Sequence, residues 1–346
     1  MSLLPLAGHE AAKKRVSRAL QTGRMPQVLL LTGPQGVGKQ RFALWIGQLA
    51  LCERPGEEPC GNCQSCRRAL ALEHPDLHWL VPIERPKAGE QDRQIEEAGD
   101  RIAEAVAGRR EKGMWGPVDG LASHGVASAH WLLRRAALTP VVGRSKVFVV
   151  GEADRLVPQE SSPEAANALL KFLEEPPADT VVVLTATEPE RVLPTIRSRA
   201  VPLRLAPLSD EAVRAFGRAH LDRKWSDEDI SRAGGTIGRL VTESEGSDKA
   251  GRAARQVAES LGKGTGARYE RALSQPPWSA RGGFTDLLDA LAAELRDDIR
   301  QRAPGGDAAP AVAALARVQA AREQAQGNVN PQLLLAALIE DLAGER

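Results

Sequence analysis

The segment Gly33-Pro34-Gln35-Gly36-Val37-Gly38-Lys39-Gln40 constrains this chain more than any other. It follows an apolar run, Val28-Leu29-Leu30-Leu31-Thr32, and opens a helical pattern from Gln40 to Leu51. Strand, glycine-rich turn and helix in that order form the context in which G-x-x-x-x-G-K-[ST] holds phosphate. The glycines let backbone N–H groups converge on phosphate oxygens, and the helix N-terminus adds its positive dipole. Gly33, Gly36, Gly38 and Lys39 are the candidate nucleotide-binding residues, with Lys39 reaching the outer phosphates. The last position normally gives a hydroxyl to Mg²⁺. Here it is Gln40, a longer amide, so the motif is degenerate. A plain glycine-rich turn is the alternative, and the flanking strand and helix argue against it.

Two further apolar runs, Val147-Phe148-Val149-Val150 and Val181-Val182-Val183-Leu184-Thr185, read as strands buried on both faces, as in parallel sheets. Helical patterns at Glu10–Thr22, Val126–Ala137 and Ser162–Glu175 separate them, the last stopped by Pro176-Pro177. The expectation is a doubly wound α/β domain over residues 1–207. Two insertions interrupt it, a cysteine loop at 52–66 and a charged, glycine-rich stretch at 84–125. The second has helical potential from about Gln91 to Arg110 and is expected to be peripheral and partly mobile. Ser209-Asp210-Glu211 and Ser226-Asp227-Glu228 look like helix N-caps followed by acids in the first turn. Residues 208–262 then read as a small helical domain. Residues 263–346 read as a C-terminal helical bundle, with segments at about 284–302, 308–326 and 331–343. That bundle carries 10 Lys plus Arg and 11 Asp plus Glu, which suits protein contacts better than DNA.

The strand at 147–150 ends in Gly151-Glu152-Ala153-Asp154. In phosphate-loop ATPases such a strand delivers an Asp to the Mg²⁺ shell, and the following Glu polarises the attacking water. The Asp position is Gly151, and Glu152 takes the place of the base. Both protein groups that would hold the metal are therefore replaced at once. Glu152 could equally be a strand-end residue bonded to the adjacent turn. One alternative keeps hydrolysis, with Gln40 binding Mg²⁺ through water and Asp154 standing in for the carboxylate. Another is a small-molecule phosphotransferase on the same loop.

Cys52, Cys60, Cys63 and Cys66 are the only cysteines, spaced C-x₇-C-x₂-C-x₂-C. Four thiolates complete a tetrahedral Zn²⁺ shell and make the site structural. A redox C-x-x-C pair is the alternative. His74 and His78 lie near enough in sequence to compete as ligands, but the cysteines already fill the shell. With 46 Lys plus Arg against 45 Asp plus Glu, the net charge of +1 excludes bulk electrostatic coating of nucleic acid. No apolar run approaches the roughly 18 residues of a membrane span, and the start lacks a signal-peptide pattern. A cytoplasmic chain is expected.

Several motifs together resemble bacterial clamp-loader AAA+ subunits. Ala165-Ala166-Asn167-Ala168-Leu169-Leu170-Lys171-Phe172-Leu173-Glu174-Glu175-Pro176-Pro177 looks like a helix of that family. Leu193-Pro194-Thr195-Ile196-Arg197-Ser198-Arg199 resembles its Ser-Arg-Cys motif, ending here in Ala200. The cysteines followed by His74-Pro75-Asp76 resemble its zinc module. The resemblance covers about residues 6–240 apart from the 84–125 insertion. It implies an AAA+ P-loop sheet with an inserted four-cysteine zinc module, a helical lid and a C-terminal oligomerisation collar. Thr187 matches the sensor-1 position, and Gly238-Arg239 resembles sensor 2.

The degenerate loop and the Asp-less strand are similar to the delta-prime branch of the DNA polymerase III clamp loader, which commonly lacks both metal-binding groups that the motor subunit keeps. The resemblance then implies a stator that is no enzyme by its own chemistry, though part of a DNA-directed DNA polymerase holoenzyme. It would lend Arg199 in trans to the ATP bound by a neighbouring motor subunit. The implied partners are gamma/tau and delta in a hetero-pentamer, with the sliding clamp and primer-template DNA reached through the complex. An ordinary surface arginine is the competing reading of Arg199.

Overall fold

A computed structural model describes residues 3–87, 89–111, 122–156, 163–221, 223–244, 249–275, 281–302, 309–325 and 329–344. The first compact unit runs to Ser244 and the second starts after it. In chain order the first unit contains α1 (Glu10–Gln21), β1 (Val28–Thr32), α2 (Lys39–Leu51), α3 (Gln64–Leu70), β2 (Leu77–Leu80), α4 (Gln91–Glu111) and α5 (Val126–Ala136). It continues with β3 (Lys146–Val150), α6 (Glu164–Glu174), β4 (Thr180–Ala186), α7 (Pro194–Arg197) and β5 (Val201–Arg204). It closes with α8 (Asp210–His220), α9 (Asp227–Ala233) and α10 (Ile237–Ser244).

The sheet is parallel throughout, in the order β2-β3-β4-β1-β5. This is a doubly wound parallel arrangement, with the glycine-rich loop leaving β1 inside the sheet. The three aliphatic runs become its three inner strands, and Val147, Phe148, Val149, Val182, Val183 and Leu184 have no exposed surface. Two edge strands escape the hydrophobic pattern. β2 is Leu-His-Trp-Leu, with His78 stacked on Phe148. β5 contains Pro202, which an edge tolerates because the missing N–H faces away from the ladder.

The described part of the 84–125 stretch is not peripheral. α4 sends Ala98 and Ile102 into the main core, and Ile83 pairs with Ser123 at the base of the stretch. Its apolar positions 95, 98 and 102 share one helical face, which is why it packs. The remainder of that stretch, 112–121, lies outside the described residues.

Ser209 and Ser226 cap α8 and α9 as their sequences suggest, and Ser226 forms a reciprocal capping box with Asp229. Val213, Ile230, Ala233 and Leu240 make the small core of this helical region. The boundary of the unit falls after Ser244, not at 262. The next helix, α11 (Lys249–Leu261), buries Ala254 and Val257 in the second unit's core. That unit continues with α12 (Thr265–Leu273), α13 (Arg281–Arg302), α14 (Ala309–Gln324) and α15 (Pro331–Ala343). Phe284, Leu287, Leu288, Leu335 and Ile339 fill its centre.

Candidate functional site: a self-occupied phosphate loop, a thiol cluster and a tethered arginine

The glycine-rich loop is engaged by the chain's own groups. Lys39 Nζ donates to the carbonyls of Gly33 and Pro34 at 2.8 and 2.9 Å and to Thr187 Oγ1 at 2.9 Å. Burial pulls the Lys39 ammonium down to about 8, against the opposing pull of Asp154 and Glu152. Across the loop, the Gly238 N–H donates to the Gly36 carbonyl at 2.8 Å. The two backbones touch so closely that a Cβ on Gly238 would sit 2.6 Å from Gly36 Cα. Arg239 follows directly, with its backbone nitrogen beside Gly36. His9 Nε2 donates to the Val37 carbonyl at 2.9 Å, so His9 packs on the loop from the other side.

Gln40, at the loop position where a hydroxyl normally serves Mg²⁺, is held by its neighbours. Its Oε1 accepts from Trp79 Nε1 at 3.0 Å, and its Nε2 donates to Glu152 Oε1 at 3.4 Å. A Cβ on Gly151 would lie 2.6 Å from Gln40 Oε1. The glycine at 151 and the amide at 40 are thus two halves of one steric fit. Glu152 adopts φ 55, bonds its N–H to Thr185 Oγ1 at 3.0 Å and pairs with Arg155 Nε at 2.8 Å. Burial raises its carboxyl above the ordinary range, despite Arg155 and Arg109. Asp154 Oδ2 accepts from the backbone N–H groups of Thr187 and Glu188, both at 2.9 Å, so it serves the β4 turn. Mg²⁺ takes oxygen ligands in near-octahedral geometry. A residue with no side chain at 151 and an amide oxygen already bonded to an indole do not fit that ion.

Sequence reasoning missed three contributors to this cluster. Trp79 comes from the short edge strand. Arg109 lies buried with its guanidinium 5.6 Å from the Trp79 ring centroid. His124 is buried and donates from Nε2 to the Gly151 carbonyl at 2.6 Å. Arg109 and His124 both belong to the 84–125 stretch, whose charge and glycine content gave no hint of this packing.

The four cysteine sulfurs lie within 4.8 Å of one another, and Cys60 Sγ is 3.9 Å from Cys66 Sγ. Tetrahedral Zn–S bonds of ~2.3 Å require S···S separations of about 3.8 Å. The N–H groups of Cys60, Cys63 and Cys66 point at the sulfurs of Cys52, Cys60 and Cys63 at 3.3–3.4 Å. Donors from Asn62 and Cys63 bring the Cys60 thiol to about 6, whereas burial pushes the Cys52 and Cys66 thiols up, so those two need a cation beside them to ionise. The set fits zinc. His74 and Asp76 serve elsewhere: His74 Nδ1 accepts from the Asp76 N–H, and the Asp76 carboxylate accepts from Val141, Val142 and Gly143.

Arg199 takes no part in the contacts of the loop. Its Nη1 donates to the Thr195 carbonyl at 2.8 Å, and its Nη2 lies 3.1 Å from Glu174 Oε2 at the end of α6.

The model of the family described as "DNA polymerase III, delta subunit" matches residues 8–209. The chain belongs to this family. DNA polymerase III subunit delta' of Bacillus subtilis is 30% identical over 200 residues, 58% of this chain and 48% of that protein. The delta' subunit of Escherichia coli K12 is 30% identical over 195 residues, 56% of this chain and 46% of that one. The gamma/tau subunit of Mycobacterium tuberculosis H37Rv is 32% identical over 209 residues, 60% of this chain and 29% of its own length. The match therefore spans about half the length of the delta' relatives and less of gamma/tau. Within this DNA polymerase III delta-subunit family member, the matched span holds the loop, the thiol cluster and Arg199. No helix among the described residues is long and apolar enough to cross a membrane.

Proposed function

We propose that the chain is the delta-prime-like stator of a bacterial clamp loader, holding no Mg²⁺ and hydrolysing no ATP itself. The observation that carries this reading is Gln40 packed against Gly151 and bonded to Trp79 and Glu152. Lys39, bonded to Gly33, Pro34 and Thr187, and Gly238, bonded to Gly36, add support, because the groups that would grip phosphates grip the protein. The chain's contribution to ATP chemistry is Arg199, offered in trans to the ATP of a neighbouring gamma/tau-type motor. A guanidinium is planar, always charged and suited to two phosphate oxygens at once. The second unit is the collar that holds the subunit in a hetero-pentamer with gamma/tau and delta, working in the cytoplasm. The complex opens the sliding clamp and places it on primer-template DNA. Cys52, Cys60, Cys63 and Cys66 hold a structural zinc that pins a loop too small to fold alone.

Two measurements test this. The purified chain alone hydrolyses no ATP; turnover near ~1 s⁻¹, the low end of enzyme rates, refutes the reading. In the reconstituted loader, Arg199→Ala lowers DNA-stimulated hydrolysis by about 10³-fold or more. Unchanged stimulation removes Arg199 from the mechanism.

A further inference from the structure

The run Leu173-Glu174-Glu175-Pro176-Pro177 leaves one residue without a role in that scheme, and the structure places it against Arg199. Glu174 Oε2 lies 3.1 Å from Arg199 Nη2. The Thr195 carbonyl takes Arg199 Nη1 at 2.8 Å and also Ser198 Oγ at 3.1 Å. Both anchors stand on fixed backbone. Glu174 follows the buried Phe172 and Leu173, and Gln27 Nε2 clasps the next turn through the carbonyls of Pro176, Pro177 and Thr180. Thr195 sits in α7, which opens with Pro194 and buries Ile196 completely.

A carboxylate in the last turn of a helix opposes the helix dipole, so Glu174 is poorly placed for stabilising α6. Its side chain is 58% exposed and that of Arg199 30% exposed, so their pairing adds little to stability as an ion pair. What it supplies is direction. Free arginine side chains sample many rotamers, and catalysis by a remote guanidinium depends on fixing it in one geometry. One hydrogen bond, to the Thr195 carbonyl, and one ion pair, to Glu174, thus hold the guanidinium from two sides, and its buried Nε has no partner among the described residues.

We propose that Glu174 is a positioning residue that orients the Arg199 guanidinium for the phosphate of a neighbouring subunit, an inference that rests on the trans reading of Arg199 given above.

The test is steady-state ATP hydrolysis by the reconstituted loader with clamp and primed DNA, comparing Glu174→Ala, Glu174→Gln and Arg199→Ala. Glu174→Ala should lower kcat roughly 10- to 100-fold with KM for ATP unchanged, since only alignment suffers. Melting temperature and assembly of the variant should match the wild type. Glu174→Gln keeps an oxygen acceptor and should recover most of the rate. If Arg199→Ala is impaired while Glu174→Ala runs at the wild-type rate or faster, positioning is overturned and the reading of Arg199 stands. A rise in KM without loss of kcat, or Glu174→Gln no better than Glu174→Ala, overturns it as well. If Arg199→Ala itself has no effect, the trans reading falls and this proposal falls with it.

Discussion

Restoring the missing carboxylate by Gly151→Asp is the most direct challenge to the idea that Gln40 and Gly151 fit as a pair. The new Cβ would stand 2.6 Å from Gln40 Oε1, 2.9 Å from its Cδ and 3.1 Å from its Nε2. Overpacking of this kind costs typically ~1–3 kcal/mol. Gln40 cannot swing aside freely, because its oxygen is the acceptor for the buried Trp79 indole. If it does swing, the overpacking is relieved but the unpaired N–H costs ~1–3 kcal/mol instead. Either way the loss is about 1–3 kcal/mol. At roughly 2–4 °C per kcal/mol for a unit of this size, the melting temperature should fall by about 2–12 °C. Gly151→Ala carries the Cβ without the charge and isolates the steric part. Adding Gln40→Thr to Gly151→Asp removes the obstruction, so a double-mutant cycle in urea should show a favourable coupling of about 1–3 kcal/mol. A Gly151→Asp protein within ~0.5 kcal/mol of wild type, or strict additivity of the two changes, would refute the reasoning.

Other outcomes follow from the thiol cluster and the buried histidines. Metal analysis of the purified chain should find one zinc per chain, and Cys66→Ser should drop well below that; a metal-free wild type that stays folded contradicts the assignment. Chelation should also free the loop that Glu58 fastens to Trp45 Nε1 at 2.7 Å, which intrinsic fluorescence can follow. Burial first of all lowers His78 and His124 to about 4. The unfolded chain therefore binds more protons than the folded one between about pH 6.5 and 4, and stability falls as pH drops through that window. Each histidine should cost about 2 kcal/mol by pH 5, measured as a shift in urea midpoint. Equal midpoints at pH 7 and 5 would contradict neutral imidazoles at the half-buried His78 and the buried His124.

Much of the local structure was legible because local rules decided it. The phosphate-loop glycines, the three aliphatic strands and the capping serines at 209 and 226 each act over a few neighbouring residues. The edge strands were not legible, since four residues containing His78 and Trp79, or Pro202, carry no strand pattern of their own. They become strands by pairing with β3 and β1. The membership of α11 was likewise hidden, because its apolar face suits either helical region and only packing against the second unit's core assigns it.

The sequence by itself determined that this chain builds a phosphate-loop sheet, lacks the usual metal-binding side chains at 40 and 151, and clusters four thiols. Those are statements about residue type at fixed spacing. Only the tertiary structure decided what replaces the missing groups: Trp79, 39 positions from Gln40, supplies the donor that seats the amide, and Glu174 meets Arg199 across two helices. Pairings of that kind depend on how strands and helices are brought together, and spacing along a chain does not record where distant side chains converge.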